Sequence, residues 1–160
     1  MLTMRGCGKK LDLPSFSEVH GLKPFMIAPT AIIRGVGITF GFDLIDSVQG
    51  MTGFYDSNLD GKMTKGAEIL IEKDYDFGFI HIKAVDDAGH DKSLDRKVEQ
   101  LEKSDRAIAK LVRALGRVTE QDFDRDFILC VTGDHTTPVS VGDHTAEPVP
   151  FACGQVSKIY

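Results

Sequence analysis

The chain has 160 residues, of which 42% are hydrophobic and 27% charged; that suits one compact domain or one large piece of a bigger one. A formal net charge of −5 excludes a general nucleic-acid binder, while local cations or metals leave room for a small anionic substrate. Three cysteines without a CxxC pair, Cys7, Cys130 and Cys153, argue against a disulfide framework or a thiolate zinc site.

The opening stretch, residues 1–21, mixes glycine, proline, serine and charge, and reads as loop with a short helix after Pro14. Pro24 to Ala28 is a short apolar run fit for a buried strand. Thr30 is placed to N-cap a helix from Ala31 to about Phe40, weakened by Gly35 and Gly37. Asp43 to Val48 is a weak strand candidate and residues 50–61 read as loop. Lys62 to Lys73 has apolar residues at near-helical spacing. Asp76 to Ala84 predicts a strand. Ser93 to Leu115 predicts the clearest helix, with Gly116 at the C-cap position. Phe127 to Thr132 predicts another strand, in which Cys130 reads as a buried structural thiol. Val149 to Cys153 predicts a final short strand. No apolar stretch approaches the roughly 18 residues of a membrane helix, and no signal peptide is visible. The sequence reads as soluble and cytoplasmic, with no membrane partner.

Strands alternating with helices predict an α/β fold built on a largely parallel sheet. Ligands gather at the C-terminal ends of strands in such sheets. Two predicted loops therefore carry the interest, residues 85–92 and 133–150. The first contains Asp86, Asp87, His90 and Asp91; the second contains Asp134, His135 and, further on, Asp143 and His144. Three of the five histidines thus sit beside carboxylates just after predicted strands. Divalent transition metals favour this mixture of imidazole and carboxylate. Each pair alone also fits an ordinary surface loop; it is their recurrence at strand ends that suggests a metal site. His81 reads as an inward structural residue, and His20 carries no signal. Arg34 and Lys83 are candidate phosphate contacts, because guanidinium and ammonium groups suit phosphate. The turn Gly6-Cys7-Gly8-Lys9-Lys10 is a further backbone candidate.

The stretch HIKAVDDAGHD, followed by TGDHTTPVSVGDHTAEPVPF, resembles the archaeal-type cofactor-independent phosphoglycerate mutases of the alkaline-phosphatase superfamily. RGCGKKLDLPSFSEVHGLK and TAIIRGVGITFGFDLID resemble the family's segment ahead of the metal loops. The resemblance implies an alkaline-phosphatase-like sheet, incomplete without an N-terminal half, with residues 1–160 forming the C-terminal metal-binding part. It implies two divalent ions, manganese above all, or zinc or cobalt. Asp86, His90 and His144 would hold one, and Asp134 and His135 would help hold the other. Phosphoglycerate would be the substrate, and a Ser or Thr nucleophile is not evident in these residues. A phosphomutase or phosphatase of the same superfamily, and a catalytically inactive metal-binding fragment, remain open. An incomplete sheet predicts an exposed edge, covered by a second copy or by a complementary N-terminal chain.

Overall fold

A computed structural model describes residues 12–122 and 124–160; the Gly6 to Lys10 turn lies outside them. Helix α1 (Phe16–His20) begins with a capping box: Ser15 Oγ accepts from Glu18 N, and Glu18 Oε2 accepts from Ser15 N (2.7 Å). Strand β1 (Pro24–Ile27) follows, then α2 (Ala31–Thr39) and the two-residue strand β2 (Asp43–Leu44). Next come α3 (Leu59–Glu72), β3 (Phe77–Ile80), α4 (Ala84–His90), α5 (Leu94–Gln121), β4 (Ile128–Thr132), β5 (Phe151–Gln155) and α6 (Val156–Ile159).

The parallel sheet has the order β2-β1-β3. Its register places Met26 opposite Phe79 and Ile27 opposite Ile80. Lys23 N donates to Asp76 Oδ2 (2.8 Å) where β1 meets β3. Every residue of β1 is buried, as expected for a central parallel strand covered on both faces. The expected strand at 127–132 is present, but it pairs antiparallel with β5 in a separate two-stranded ribbon.

Helix α3 lies between the sheet and α5. Its Ile69 joins Phe25, Ile27 and Val48 in one buried cluster. On another face, Leu59, Met63 and Ala67 meet Ala107, Leu111 and Leu115 of α5 and Val156 of α6. Gly66 allows the approach to the sheet, since a Cβ there would overlap Ile80 Cδ1. No helix among the described residues is long and apolar enough to cross a membrane.

Three local expectations are corrected. The strand expected over residues 76–84 stops at Ile80, and residues 85–90, expected as loop, lie with Ala84 in helix α4. Gly116 does not end α5, which continues to Gln121; a Cβ at 116 would overlap the Tyr160 ring, so this glycine serves close packing. Cys130 is exposed, not buried, because β4 lies in the outer ribbon. That ribbon shows Ile128 and Phe151, 71% and 70% exposed.

Lys62 on α3 has no accessible surface, and its Nζ donates to the His81 carbonyl (3.1 Å). Burial lowers this lysine from its ordinary 10.5 to about 8. Between those values the unfolded chain binds more protons than the folded one. The penalty for burying this charge is therefore full below about pH 8 and relieved as pH rises toward 10.5. Lys62→Met removes the titrating group. Its stability relative to the parent is expected to fall steadily between pH 8 and 10.5, read by urea unfolding at each pH; a difference independent of pH would contradict the assignment.

Candidate metal centre

Asp86 and His90 are four residues apart on α4, which brings both to one helix face. The helix starts directly after β3, at the C-terminal edge of the sheet, where His81 N donates to Ile27 O (2.9 Å). His144 comes from the long loop between β4 and β5. The loop is folded back on itself by a bridge between Thr136 and Thr145, with Thr145 N donating to Thr136 O (3.0 Å). This closure lays the His144 ring against His135, centroids 3.6 Å apart.

One donor atom from each of Asp86, His90 and His144 lies within 4.8 Å of the others. His90 Nε2 is 3.1 Å from His144 Nε2 and 3.4 Å from Asp86 Oδ1, and His144 Nε2 is 3.7 Å from Asp86 Oδ1. Ligands bonded at about 2.0–2.1 Å in a tetrahedron stand about 3.3–3.4 Å apart. The three observed separations bracket that edge, so the donor set fits a cation.

The surrounding hydrogen bonds orient these donors. His90 Nδ1 donates to the Gly142 carbonyl (3.1 Å), which leaves the Nε2 lone pair facing the other two donors. Gly142 supplies that carbonyl from a left-handed conformation, φ 76°, which glycine adopts without penalty. The Thr137 hydroxyl donates to Asp86 Oδ1 (2.6 Å). With that proton committed, the Thr137 oxygen accepts from His135 Nδ1 (3.3 Å), so His135 Nε2 presents a lone pair 3.3 Å from Asp134 Oδ2. Two acceptors facing each other leave room for a second cation or a proton between them.

Burial would raise the Asp86 carboxyl, but the Thr137 hydroxyl and Lys83 outweigh it and hold Asp86 below the usual carboxylate range. Lys83 Nζ donates to Asp86 Oδ2 (3.1 Å) and to Asp87. Those two bonds overcome burial and keep Lys83 above its ordinary value, hence charged. Burial, followed by the Lys62 charge, lowers His81 and keeps it neutral; its Nδ1 is buried with no partner among the described residues.

The structure therefore brings together Asp86, His90 and His144, with Asp134 and His135 adjoining them and Lys83 beside the carboxylate. Arg34 is not with them: its guanidinium forms a paired contact with Asp46, with Nη2 donating to Oδ2 (3.1 Å). Asp91 points elsewhere and accepts from the Tyr55 hydroxyl (2.7 Å). His20 lies against Phe16. Thr137 was not picked out in the sequence. It is buried, 4% exposed, and its carbonyl accepts from Lys97 Nζ (2.6 Å). A threonine two residues after an Asp-His pair was the available signal, but spacing alone does not mark a hydroxyl as a support.

Thr137→Val keeps the shape and removes the hydroxyl that holds Asp86. Loss of such a supporting bond is expected to weaken divalent-cation binding by about 10–100-fold, with Thr137→Ser close to the parent. Isothermal titration with manganese or zinc checks this, and an unchanged affinity in Thr137→Val would remove Thr137 from the site.

A sequence profile of the Metalloenzyme superfamily matches residues 4–158. The chain is 36% identical, over 151 residues, to a 2,3-bisphosphoglycerate-independent phosphoglycerate mutase of Sulfurisphaera tokodaii, covering 94% of this chain and 34% of the relative. It is 40% identical, over 149 residues, to the corresponding mutase 1 of Archaeoglobus fulgidus, covering 93% and 34%. A solved protein structure from Pyrococcus horikoshii superposes with a TM-score of 0.78 at 35% identity, over 88% of this chain and 39% of that one. The chain thus spans about a third of the length of the curated relatives it matches.

Proposed function

Because this chain belongs to the Metalloenzyme superfamily, we propose that it is the metal-holding part of a phosphoglycerate mutase that needs no bisphosphoglycerate. In this reading it takes part in the interconversion of 3-phosphoglycerate and 2-phosphoglycerate, a glycolytic step in the cytoplasm. The observation that carries the proposal is the convergence of Asp86, His90 and His144 at the sheet's C-terminal edge, in a chain whose relatives bear that name.

Asp86, His90 and His144 would hold one divalent ion, and Asp134 and His135 part of the shell of a second. The donor set combines imidazole, which suits zinc, with carboxylate, which suits manganese; manganese is our first assignment, with zinc or cobalt the alternatives. Such ions neutralise charge on phosphoryl oxygens and make a coordinated hydroxyl a better nucleophile at neutral pH. The chain's own residues do the positioning. The Gly142 carbonyl and the Thr137 hydroxyl fix the donor faces of His90 and Asp86. Lys83, charged and beside Asp86, would donate to a phosphate oxygen once a substrate draws it from its carboxylates. Arg34 would serve phosphate only by leaving Asp46. The nucleophilic hydroxyl, in this reading, comes from outside these residues. The exposed β4–β5 ribbon is where a complementary chain or a second copy would bind.

The test is a coupled assay of 3-phosphoglycerate conversion with manganese, run beside light scattering on the same sample. Divalent-ion-dependent turnover by this chain alone supports the substrate assignment and overturns the placing of the nucleophile outside these residues. Turnover that appears only with the missing part of the relatives' length added supports the division of labour. Conversion of some other phosphate ester, with none of phosphoglycerate, would overturn the substrate assignment. A monomer that binds no hydrophobic dye would count against a covered ribbon.

A further inference from the structure

Cys130 of β4 and Cys153 of β5 stand directly opposite each other in the antiparallel register. Their Sγ atoms are 2.9 Å apart, and both residues are exposed in this chain by itself, on the ribbon face that also carries Ile128 and Phe151, so the pair is open to a small reagent only while that face is uncovered. Directly opposed antiparallel residues have Cα atoms about 4.5 or 5.5 Å apart, and both spacings fall inside the roughly 4.4–6.8 Å that a disulfide spans. The two side chains therefore lie on one face of the ribbon and close with little backbone movement. In sequence the two cysteines are 23 residues apart, and the segment between them is the loop that carries Asp134, His135 and His144.

We propose that Cys130 and Cys153 form a reversible dithiol–disulfide pair that straps the base of the donor-carrying loop. The oxidant is a small-molecule disulfide. One cysteine releases its proton to water, and its thiolate attacks the external disulfide, forming a mixed disulfide and expelling one small thiolate. The second cysteine, also deprotonated, attacks the protein sulfur of the mixed disulfide and expels the second small thiolate. Two protein thiols are oxidised, one external disulfide becomes two thiols, and the protons they take up balance those released. Excess small thiol reverses both exchanges. In a reducing compartment the resting form is the dithiol, and a rise in oxidised thiol closes the strap.

The strap ties the strand that leads into the loop to the strand that leaves it. Oxidation then restricts the splaying of β4 from β5 below the Thr136–Thr145 bridge, which closes the loop further along. Cys7 lies outside the described residues and is removed from the test by Cys7→Ser.

The experiment treats Cys7→Ser protein with oxidised glutathione and follows intact mass, peptide mapping and amide hydrogen exchange. The expected product is a single covalent chain lighter by two hydrogens, with Cys130 linked to Cys153. Exchange within residues 133–150 is expected to slow severalfold, while α3 and α5 are unchanged. The further variant Cys130→Ser is expected to stop at a glutathione adduct on Cys153. Stable adducts on both cysteines, or dimers linked through either one, would overturn the pairing. A 130–153 disulfide that leaves exchange in 133–150 unaltered would overturn the strap.

Discussion

His90→Ala is expected to weaken binding of a divalent cation by on the order of 100-fold or more, beyond the 10–100-fold cost of losing a merely supporting contact. His90 supplies one of three converging donors, and its ring is the one whose orientation the structure fixes most firmly, through Nδ1 and the Gly142 carbonyl. Its removal leaves Asp86 and His144, whose donor atoms are 3.7 Å apart, with a gap where the third ligand stood. The side chain is 37% exposed, so its loss opens no cavity in the core and the urea midpoint should hardly move. Isothermal titration and unfolding, performed on the same sample, separate the two effects. Equal metal affinity in parent and variant would place the cation elsewhere; loss of affinity together with loss of the fold would make His90 structural.

Gly89→Ala is expected to damage fold and site together. A Cβ at this position would overlap the Thr137 carbonyl oxygen and lie 2.9 Å from Thr137 Cβ and Cγ2. Neither neighbour can step aside cheaply, because Thr137 is held by Asp86 through its hydroxyl and by Lys97 through its carbonyl. The helix must move away from the Thr137 turn, and with it Asp86 and His90. Forcing a methyl group into a tight contact costs about 1–3 kcal/mol, occasionally more, and displacement of two donors should also reduce metal affinity at least tenfold, on the order expected for lost support. The readouts are the urea midpoint and manganese titration. A variant with parental stability and parental affinity would show that α4 and the loop are not in contact in solution.

These two neighbours show why the sequence was only partly legible here. The segment Val85 to Gly89 carries two aspartates and a glycine, all poor signals for a helix, so the D-x-x-x-H spacing after a predicted strand fits a loop as far as the sequence alone shows. The same spacing is what a single helical turn uses to align Asp86 with His90. Strands 24–27 and 77–80 and helix α5 were legible because periodicity and β-branched or aromatic content speak within a few residues. Gly116 misled, because a glycine that ends a helix and a glycine that admits the Tyr160 ring look alike until Tyr160 is placed. The partner of β4 was beyond reach for a similar reason. An apolar run predicts a strand, whereas pairing with β5 depends on how the long loop folds back. Arg34 was chosen for its charge and its place after β1; nothing local announced that Asp46 would engage it.

The parallel pairing of β1 with β3 also constrains the order of events during synthesis. Lys23 and Asp76, joined at the sheet's near end, are 53 residues apart. At about 5–20 residues per second on the ribosome, several seconds pass after β1 is made before β3 exists to receive it. Through that interval Phe25, Met26 and Ile27, buried in the finished protein, have no strand on that side. Until β3 has been made and has left the ribosome, that side of β1 is open to wrong pairing and to chaperone capture.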